Sequence, residues 1–565
     1  MKKSLRWLSL LLIVVMLGSL FIGCGKTDDK DKVDAGDKKE DKQEDKKDDE
    51  KKDDEKKDDE KKDDEKKDES EDSTLITDTP VTLTYWGALN SNASANYASL
   101  NETPLAQELE RLTGVTIEYQ HPPEGQADEQ FNLMVGSGEL PDILERGWFD
   151  YPGGQGKAIE DGVLIELNDL IDEHAPNFKK LLESDELIDK MSKTDDGKYA
   201  MFPFIRGNEL NMVFYGPIMR KDWLDDLNLD IPETIDEWTE VLRKFKTEKG
   251  ADAPFQGNDI PRMACAFDIV DGFYLEDGEV KYGPIEPAYK DYLAAMNKWY
   301  EEGLIDPDYA ALDGTARDAK ATSGESGAFF GYGGSTILRY LTAMKDEDPN
   351  YDLTGVPYPA KEKGGKAFSG QKDFPVMNPG WGITTACEEV EIATKWLDFG
   401  YSGDGTGIGG PGYMLYNFGI EGQTYEIEDG YPKYTDLVTD NPDGIAMGHV
   451  LGGYTRSIYS GPMVQAREYH EQYQHLPQQI EAAKHWLKAD DSHRLVPTTP
   501  TSEENEKLVD IMNEVNTYVS EQRLKFIMGQ EPLEKFDEFV EQLKTLGIED
   551  VIEIRNAALK RFNER

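Results

Sequence analysis

The most constraining feature of this chain is an alternation of strand and helix patterns near the start of its folded part. The segment VTLTYW at 81–86 alternates and is rich in β-branched residues, as strands are. A helix pattern with leucines at helical spacing covers 103–113, and a second strand pattern, VTIEY, covers 115–119. A helix at 128–135 and a short strand at 141–144 follow. This order is typical of a parallel sheet with crossover helices.

The remainder of the chain predicts a large, helix-rich protein. Further helices are predicted at 222–228, 235–247, 287–302 and 388–401, and the C-terminal third is predicted to be largely helical at 463–487, 502–528 and 533–546. About 490 residues follow the N-terminal segments, which is too many for one small core and indicates two or more lobes. We therefore predict an α/β fold with two lobes and a largely helical C-terminal third.

The first 23 residues have the pattern of an export signal. A basic start precedes an apolar run at 8–20, and Gly23 and Cys24 follow. This is a secretory pattern, and the run is shorter than the ~20 residues of a membrane span. A cysteine at this point resembles a bacterial lipobox, in which the thiol takes a diacylglyceryl group. We predict a lipoprotein signal peptide at 1–23 and lipidation of Cys24; a simple signal peptide with an incidental cysteine is the alternative.

A low-complexity segment separates Cys24 from the folded part. It repeats Lys-Lys-Asp-Asp-Glu in tandem over 46–65 and contains no aromatic residue over 26–72. Such a segment buries too little apolar area to offset its chain entropy, so we expect it to be disordered. Residues 24–75 are predicted to be a lipidated cysteine followed by a solvated spacer, and residues 76–565 the functional domain.

The acidic charge extends beyond the spacer. The chain carries a net charge of −51, to which the signal contributes +3 and residues 26–72 contribute −9, so residues 73–565 carry −45. Nucleic-acid binding requires a basic face, and we predict no nucleic-acid partner. Cys265 and Cys387 lie far apart in sequence; they could pair outside the cell, but single buried thiols are the favoured reading.

Several ordered segments resemble those of a known family. They are FNLMVGSGELPDI at 131–143, GVLIELNDLI at 162–171, APN at 175–177, MRKDWL at 219–224, EGLIDP at 302–307 and TKWLDFGY at 394–401. In order and spacing they resemble the extracellular solute-binding proteins of ABC transporters, in the large Gram-positive lipoprotein branch associated with sugars and oligosaccharides. The resemblance covers nearly all of residues 80–548.

The resemblance implies a type II periplasmic-binding-protein (Venus flytrap) fold, in which two α/β lobes close on a ligand and the closed form docks on a permease. It places lobe 1 at approximately 76–210 plus 375–450, and lobe 2 at approximately 211–374 plus 451–565. The implied function is a monomeric receptor on the extracellular face of the cytoplasmic membrane. It would deliver a carbohydrate or oligosaccharide to the transmembrane subunits of an ABC importer, without catalysis and without a cofactor.

Some relatives carry a calcium loop after the helix that corresponds to residues 235–247. Here the sequence at 246–254 is KTEKGADAP, which lacks the alternating oxygen ligands of a calcium loop. A stretch at 440–444 also fails, because an EF-hand opening at Asp440 would place Pro442 and Leu451 at ligand positions. We therefore predict no metal.

The candidate ligand-binding residues are aromatic and polar side chains in loops at predicted strand ends. Sugar rings stack on tryptophan and tyrosine, while their hydroxyls need a few fixed polar groups. Trp381 lies in a Pro-Gly-Trp-Gly turn that is expected to expose the ring. The predicted residues are Trp86, Asn90, Trp148, Tyr151, Arg206, Tyr332, Trp381, Tyr454 and Arg456, with Tyr459 in the same loop as the last two. Trp223, Trp238, Trp299 and Trp396 lie on helical faces and are predicted to be core.

Two alternatives remain open. The sequence has no zinc-protease helix, P-loop or nucleophile elbow, and abundant acidic residues make a chance carboxylate pair weak evidence for a surface glycan-degrading lipoprotein. The same fold could instead bind a peptide or an anionic solute, and a basic cleft around Arg206, Arg339 and Arg456 would indicate that ligand class.

Overall fold

The predicted alternation forms half of a six-stranded sheet in the computed structural model, which describes residues 74–458 and 460–565. The signal peptide, Cys24 and nearly all of the spacer therefore lie outside the described residues. All the elements below belong to one compact unit within residues 72–565.

Thirteen strands are present in the described residues. They are β1 (Val81–Trp86), β2 (Val115–Gln120), β3 (Ile143–Arg146), β4 (Phe202–Arg206), β5 (Tyr215–Arg220), β6 (Phe273–Glu276), β7 (Glu279–Tyr282), β8 (Ala328–Tyr332), β9 (Leu353–Gly355), β10 (Val376–Ile383), β11 (Tyr425–Glu428), β12 (Tyr431–Tyr434) and β13 (Val464–Gln465).

The first sheet has the order β13-β4-β10-β3-β1-β2. Strand β1 pairs in parallel with β2 and β3, β10 runs antiparallel to β3 and β4, and β13 is parallel to β4. A second sheet of three strands has the order β8-β5-β9, with β5 antiparallel to both neighbours. The pairs β6–β7 and β11–β12 are antiparallel hairpins. Each of the two larger sheets forms the centre of one lobe.

The α-helices of the described residues surround these sheets. They are α1 (Ser91–Ser94), α2 (Pro104–Thr113), α3 (Ala127–Ser137), α4 (Gly154–Glu160), α5 (Asn168–His174), α6 (Pro176–Ser184), α7 (Glu186–Ser192), α8 (Glu209–Met212), α9 (Lys221–Asp226), α10 (Ile235–Glu248), α11 (Pro287–Glu301), α12 (Gly314–Ser323), α13 (Leu338–Met344), α14 (Val390–Asp398), α15 (Pro411–Phe418), α16 (Asp436–Thr439), α17 (Met447–Tyr454), α18 (Arg467–Tyr473), α19 (Pro477–Trp486), α20 (Ser502–Ile527), α21 (Phe536–Leu546) and α22 (Ile548–Glu564).

Local signals set the ends of several helices. Thr103 caps α2 by accepting from the Ala106 N–H at 3.2 Å, and Gly114 ends that helix at φ 72°, a left-handed value that glycine adopts without strain. At the start of α20, Thr501 and Glu504 form a reciprocal capping box. These short-range contacts explain why the sequence predicted both helix starts correctly.

Two large hydrophobic cores correspond to the two lobes. One core draws on segments between Leu83 and Ile205 and between Val376 and Tyr469. The other draws on segments between Val213 and Phe368 and between Ala482 and Val551. Met463 and Tyr469, which follow the lobe boundary predicted near residue 450, pack in the first core. A smaller cluster around Trp148 and Phe131 completes the first lobe.

The tryptophans predicted to be core are indeed buried. Trp238 and Trp299 stack with ring centroids 6.3 Å apart in the second core, where Trp223 also packs, and Trp396 lies in the first. Trp486 of α19 lies against Gly216 of β5, where any side chain would overlap the indole. Cys265 and Cys387 are both buried free thiols.

The C-terminal helices differ in detail from the prediction. The segment predicted to be helical at 463–487, with an interruption at Pro477, begins instead with strand β13. The interruption is present, because α18 ends at Tyr473 and α19 begins at Pro477. The last helix, α22, has Ile548 and Val551 in the second core but Phe562 in the first. Its final turn also contacts the first lobe, since Arg561 Nε and Arg565 Nη2 lie 2.8 and 2.7 Å from the Asp195 carboxylate. Among the described residues, no helix has both the length and the apolar character required to span a bilayer.

Candidate functional site

Two adjoining cavities lie where the chain passes between the lobes. The large cavity, of about 900 Å³, is lined mainly by the second lobe, together with Gln371 and Asp373 of the segment that leads into β10. The small cavity, of about 250 Å³, is lined by both lobes. Phe214 and Tyr332 line both cavities, so the two cavities adjoin at these rings, and together they are called the cleft below.

An aromatic platform forms the junction of the two cavities. Phe214 precedes β5 and Tyr332 ends β8, and the antiparallel pairing of these strands brings the two rings together. The rings are stacked, with centroids 6.1 Å apart and planes 7° from parallel. Tyr215 contacts Tyr332 edge-on at 4.8 Å. Tyr332 is 50% exposed, and no other aromatic side chain of residues 74–458 and 460–565 is classed as exposed.

Polar groups of both lobes surround this platform. Arg206, at the end of β4, donates from Nη1 to Gln465 at 2.9 Å and pairs from Nη2 with Asp373 at 3.1 Å. Its guanidinium also lies 5.3 Å from the Phe214 ring centroid. Burial raises the pKa of the Asp373 carboxyl, and the nearby Arg206 opposes this effect. The ion pair thus joins the end of β4 to the segment that leads into β10, and both are places where the chain passes between the lobes.

Tyrosines donate to the other two carboxylates of the large cavity, Asp259 and Asp318. Tyr215 donates its hydroxyl proton to Asp259, and Tyr340 donates to Asp318 at 2.6 Å. Arg339 also pairs with Asp318, at 2.8 Å. Burial, followed by these hydrogen bonds, raises the pKa of both tyrosines well above the usual range, so both remain protonated donors. A carboxylate that already accepts from a phenol and a guanidinium is poorly placed to act as an acid or base.

His470 of α18 lines the small cavity as a neutral side chain. Burial, with Arg206 nearby, lowers the pKa of its imidazole from 6.5 to about 4. Because the folded-state pKa lies below the unfolded value, the unfolded chain takes up a proton first as the pH falls. We therefore expect the free energy of unfolding to fall between pH 6.5 and about 4, with a total loss of about 3 kcal/mol from this group.

Denaturant unfolding measured across this pH range tests the expectation. His470→Gln should flatten the dependence, whereas His475→Gln, at an exposed position in the loop between α18 and α19, should leave it unchanged. An identical pH profile for wild type and His470→Gln would contradict the assignment.

Two of the predicted ligand-binding residues lie in the cleft. Arg206 lines the small cavity, and Tyr332 lines both cavities. Arg339, named with the basic-cleft alternative, lines the large cavity. Whether these side chains contact a ligand remains a prediction.

The expected exposure of the tryptophans is wrong. Trp148 and Trp381 are 0% exposed and Trp86 is 7% exposed. Trp381 lies within β10, a central strand covered on both faces, and its indole donates to the Tyr85 hydroxyl at 2.6 Å. Trp148 donates to the Gly380 carbonyl at 3.1 Å inside the smaller cluster. In this structure the rings have no free face for a sugar.

The other predicted residues also lie away from the cleft. The Asn90 side chain caps α1, and the Tyr151 hydroxyl donates to Asp161 at 3.0 Å. Tyr454 packs against the first core. Arg456 is 3% exposed and donates to the Tyr85 hydroxyl at 3.3 Å, so it does not contribute to a basic cleft. Tyr459, like Cys24, lies outside the described residues.

Sequence reasoning missed most of the cleft. Phe214 and Tyr215 are consecutive aromatics at the predicted lobe crossover, which was a usable signal. Arg262 and Arg317, by contrast, lie in segments with no distinguishing pattern, and only the fold brings them to the large cavity.

The segment at 246–254, where some relatives have a calcium loop, contains a lysine that binds backbone carbonyls. Lys246 Nζ donates to the carbonyls of Glu302 and Gly303, at 2.6 and 3.1 Å, and so satisfies acceptors at the end of α11. Among the described residues, no group of three or more histidine, cysteine, aspartate or glutamate side chains is arranged to hold a metal ion.

Comparison with known proteins identifies the family. A family model described as bacterial extracellular solute-binding protein matches residues 97–406, more than half of the chain. The chain belongs to this family. The resemblance inferred from the ordered segments is thereby confirmed.

Two curated relatives align with most of this solute-binding protein. Lipoprotein LipO of Bacillus subtilis (strain 168) is 24% identical over 469 residues, which cover 79% of this chain and 87% of that protein. The fructooligosaccharide ABC transporter substrate-binding protein FusA of Streptococcus pneumoniae is 23% identical over 488 residues, covering 80% of this chain and 86% of that protein.

Solved structures show the same fold. Alginate-binding protein AlgQ2, in a form without calcium ion, superposes with a TM-score of 0.68 and 25% identity, covering 86% of this chain and 99% of that one. FusA of S. pneumoniae in complex with kestose gives a TM-score of 0.64 and 22% identity with the same coverage. The solute-binding protein therefore has the predicted two-lobed type II fold.

Proposed function

We propose that this solute-binding protein is the extracellular receptor of an ABC importer and binds an oligosaccharide in the cleft between its lobes. The observation that carries the proposal is the aromatic platform of Phe214, Tyr215 and Tyr332 in that cleft. An aromatic face that is half exposed inside a cavity suits the apolar C–H face of a sugar ring.

The dimensions and polar groups of the cleft agree with this ligand class. A volume of about 900 Å³ falls within the range of about 300–1,000 Å³ that small-molecule sites occupy, and it exceeds the need of one monosaccharide. Uncharged amides also line it, among them Gln256, Asn258 and Gln371. These amides already form hydrogen bonds with protein groups, Gln256 with Arg317, Asn258 with Phe330 and Gln371 with Met212 and Phe214, so they form a fixed polar wall. Amides donate and accept together, as sugar hydroxyls do, and we expect their remaining hydrogen-bonding capacity to serve a chain of rings.

The relatives support the same reading. FusA is named for fructooligosaccharide, and polygalacturonan/rhamnogalacturonan-binding protein YtcQ of Bacillus subtilis is 27% identical over 239 residues, covering 40% of this chain. The family consists of binding proteins, and the carboxylates of the cleft are already hydrogen-bonded. We therefore expect binding without turnover, as a monomer without a cofactor, and transfer of the ligand to the transmembrane subunits of the importer.

Thermal unfolding of the purified protein against mono- and oligosaccharides, amino acids and peptides tests this proposal. A ligand at about a hundredfold excess over its dissociation constant stabilises the folded state by about 2.7 kcal/mol, which raises the melting temperature. We expect a rise with one class of oligosaccharide and no change in that oligosaccharide on long incubation. A rise with peptides alone would overturn the ligand class, and breakdown of the oligosaccharide would favour the glycan-degrading alternative.

The Tyr332→Ala variant should weaken oligosaccharide binding by about 1–2 kcal/mol, or roughly 5–30-fold in the dissociation constant. The change removes the exposed ring of the platform without disturbing a core, because half of the Tyr332 side chain faces solvent. Isothermal titration calorimetry provides the measurement. Tyr332→Phe should retain most of the affinity, and Ile480→Ala, at an exposed position on α19, should retain all of it. Equal affinities for Tyr332→Ala and Ile480→Ala would place the ligand elsewhere.

The membrane anchor is part of the proposal. We propose that Cys24 is acylated, so that the spacer suspends the binding domain from the outer face of the cytoplasmic membrane. Acyl chains contribute about 0.8 kcal/mol per buried CH₂, enough for stable attachment when the cysteine carries several chains. We expect Cys24→Ser to abolish labelling by a fatty-acid analogue and to move the protein from the membrane fraction to the medium. Continued labelling of Cys24→Ser would contradict the assignment.

A further inference from the structure

The charged side chains that line the cleft have a net positive charge, whereas the rest of the folded part is strongly acidic. Residues 73–565 carry a net charge of −45, yet the two cavities are lined by four arginines, three aspartates and no glutamate. In so acidic a domain, a surface without a specific role would be expected to have a neutral or acidic lining. The excess of positive charge in the cleft therefore points to a ligand that carries negative charge.

The four arginines are not equivalent. Arg206 is paired with Asp373 and Arg339 with Asp318, so their charges are balanced within the protein. Arg262 and Arg317, in contrast, have no carboxylate within 4.0 Å among residues 74–458 and 460–565. The third aspartate, Asp259, accepts the Tyr215 hydroxyl instead.

Unpaired arginines are uncommon in this protein. In the part of the chain that the structure describes, the other arginines form ion pairs, with two exceptions. Arg456 is buried near Glu145, and Arg555 lies 4.3 Å above the Phe273 ring. The large cavity thus contains the two arginines that remain available to an external anion, Arg262 and Arg317.

The position of Arg262 connects this charge to the aromatic platform. Its guanidinium lies 5.3 Å from the ring centroid of Tyr215, which itself contacts Tyr332. A guanidinium binds a carboxylate through two parallel N–H···O bonds, and contact of its face with an aromatic ring leaves the N–H groups, which lie in the plane of the guanidinium, free for such bonds. A sugar ring on the platform would therefore have a guanidinium beside it.

We propose that the ligand is an acidic oligosaccharide, with uronate carboxylates recognised by Arg262 and Arg317 while its rings stack on the platform of Phe214, Tyr215 and Tyr332. The inference rests on the proposed function and specifies its substrate class. An acidic peptide would also present carboxylates, on its terminus and on aspartate and glutamate side chains, but it lacks the apolar ring faces that suit the aromatic platform. Two unpaired arginines in one cavity fit a polymer that carries a carboxylate on successive units.

Calorimetry of the purified protein with matched oligosaccharides tests the proposal. The probes are uronate oligomers of three or four units (galacturonate, mannuronate and guluronate), the same oligomers with methyl-esterified carboxyls, and neutral fructo-, malto- and manno-oligosaccharides. The ester keeps the rings and hydroxyls and removes only the charge. We expect one uronate oligomer to bind at least tenfold more tightly than its ester, with an affinity that decreases as salt is added.

Three variants test which arginines recognise the carboxylates of the ligand. Arg262→Gln and Arg317→Gln should each weaken binding of the uronate oligomer by about tenfold and leave the affinity for its ester within about twofold. Arg243→Gln is the matched control, because this arginine pairs with Glu302 outside the cleft, and it should change neither.

The outcomes separate the two proposals. Tight binding of a neutral oligosaccharide with no preference for any uronate would overturn the acidic ligand and leave the oligosaccharide receptor intact. Equal weakening of acid and ester in Arg262→Gln would also overturn charge recognition. Binding of peptides with no response to any saccharide, neutral or acidic, would overturn both.

Discussion

Replacing Trp381 with alanine should destabilise the first lobe by about 3–5 kcal/mol, the usual cost of deleting a buried tryptophan. The ring is 0% exposed in the centre of β10, so its removal leaves a cavity that neighbouring side chains fill only in part. The loss also removes the indole donor to Tyr85, whose hydroxyl donates to Glu145 and accepts from Arg456. Denaturant unfolding of wild type and variant measures the effect.

The same position distinguishes a core residue from a ligand contact. Trp381→Phe fills most of the space, so we expect a smaller loss of stability and an unchanged affinity for the oligosaccharide. If Trp381→Phe were as stable as wild type but lost the ligand, the sequence-based prediction of a ligand contact would be right and the buried position in this structure would not represent the bound state.

Replacing Arg523 with methionine should cost about 3–5 kcal/mol, because it leaves a buried carboxylate without its cation. Arg523 of α20 pairs with Asp271, which also accepts the Tyr289 hydroxyl at 2.7 Å. The Asp271 side chain is only 7% exposed. Burial raises the pKa of Asp271, and Arg523 opposes that rise.

The pH dependence of the Arg523→Met variant follows from this balance. Without the arginine the folded-state pKa of Asp271 lies further above its unfolded value, so stability falls as the pH rises toward that pKa and recovers as the pH is lowered. Adding Asp271→Asn to the variant should restore much of the loss. Arg243→Met, which breaks the exposed pair with Glu302, should cost at most about 1 kcal/mol and serves as the control. Equal losses for Arg523→Met and Arg243→Met would contradict the argument.

The parts of the fold that the sequence predicted are those set by neighbouring residues. Strand β1 has its predicted bounds because its alternating pattern is local, and α2 and α20 begin at positions that neighbouring capping residues fix. Strand β13 has two residues and no periodicity of its own, and only its pairing with β4 from distant sequence makes it a strand. Patterns within the segment could not reveal it.

For the candidate site too, local sequence predicted some features, and pairing between distant segments determined the others. Tyr332 and Arg206 lie in the cleft because β8 and β4 end there, in agreement with the expectation that the candidate residues lie at strand ends. Trp381 was predicted to be exposed from its Pro-Gly-Trp-Gly turn, yet the chain there is extended between β3 and β4. The same four-residue sequence occurs in turns and, when distant segments pair with it, in a central strand. The exposure of Trp381 therefore could not be predicted from neighbouring residues alone.

The two attachments of α22 restrict how the lobes move relative to each other. The chain crosses between the lobes at Arg206, at Asp373 and between Tyr469 and Ala482, and this group of crossings alone would leave the lobes free to twist as well as bend. The last helix adds a second attachment, since its Arg561 and Arg565 are fixed to Asp195 of the first lobe while its start is buried in the second core. Two separate points of attachment define a line, and rotation about that line is the one rigid-body motion that strains neither. The lobes should therefore open and close about a single axis, with the mouth of the large cavity as the moving edge.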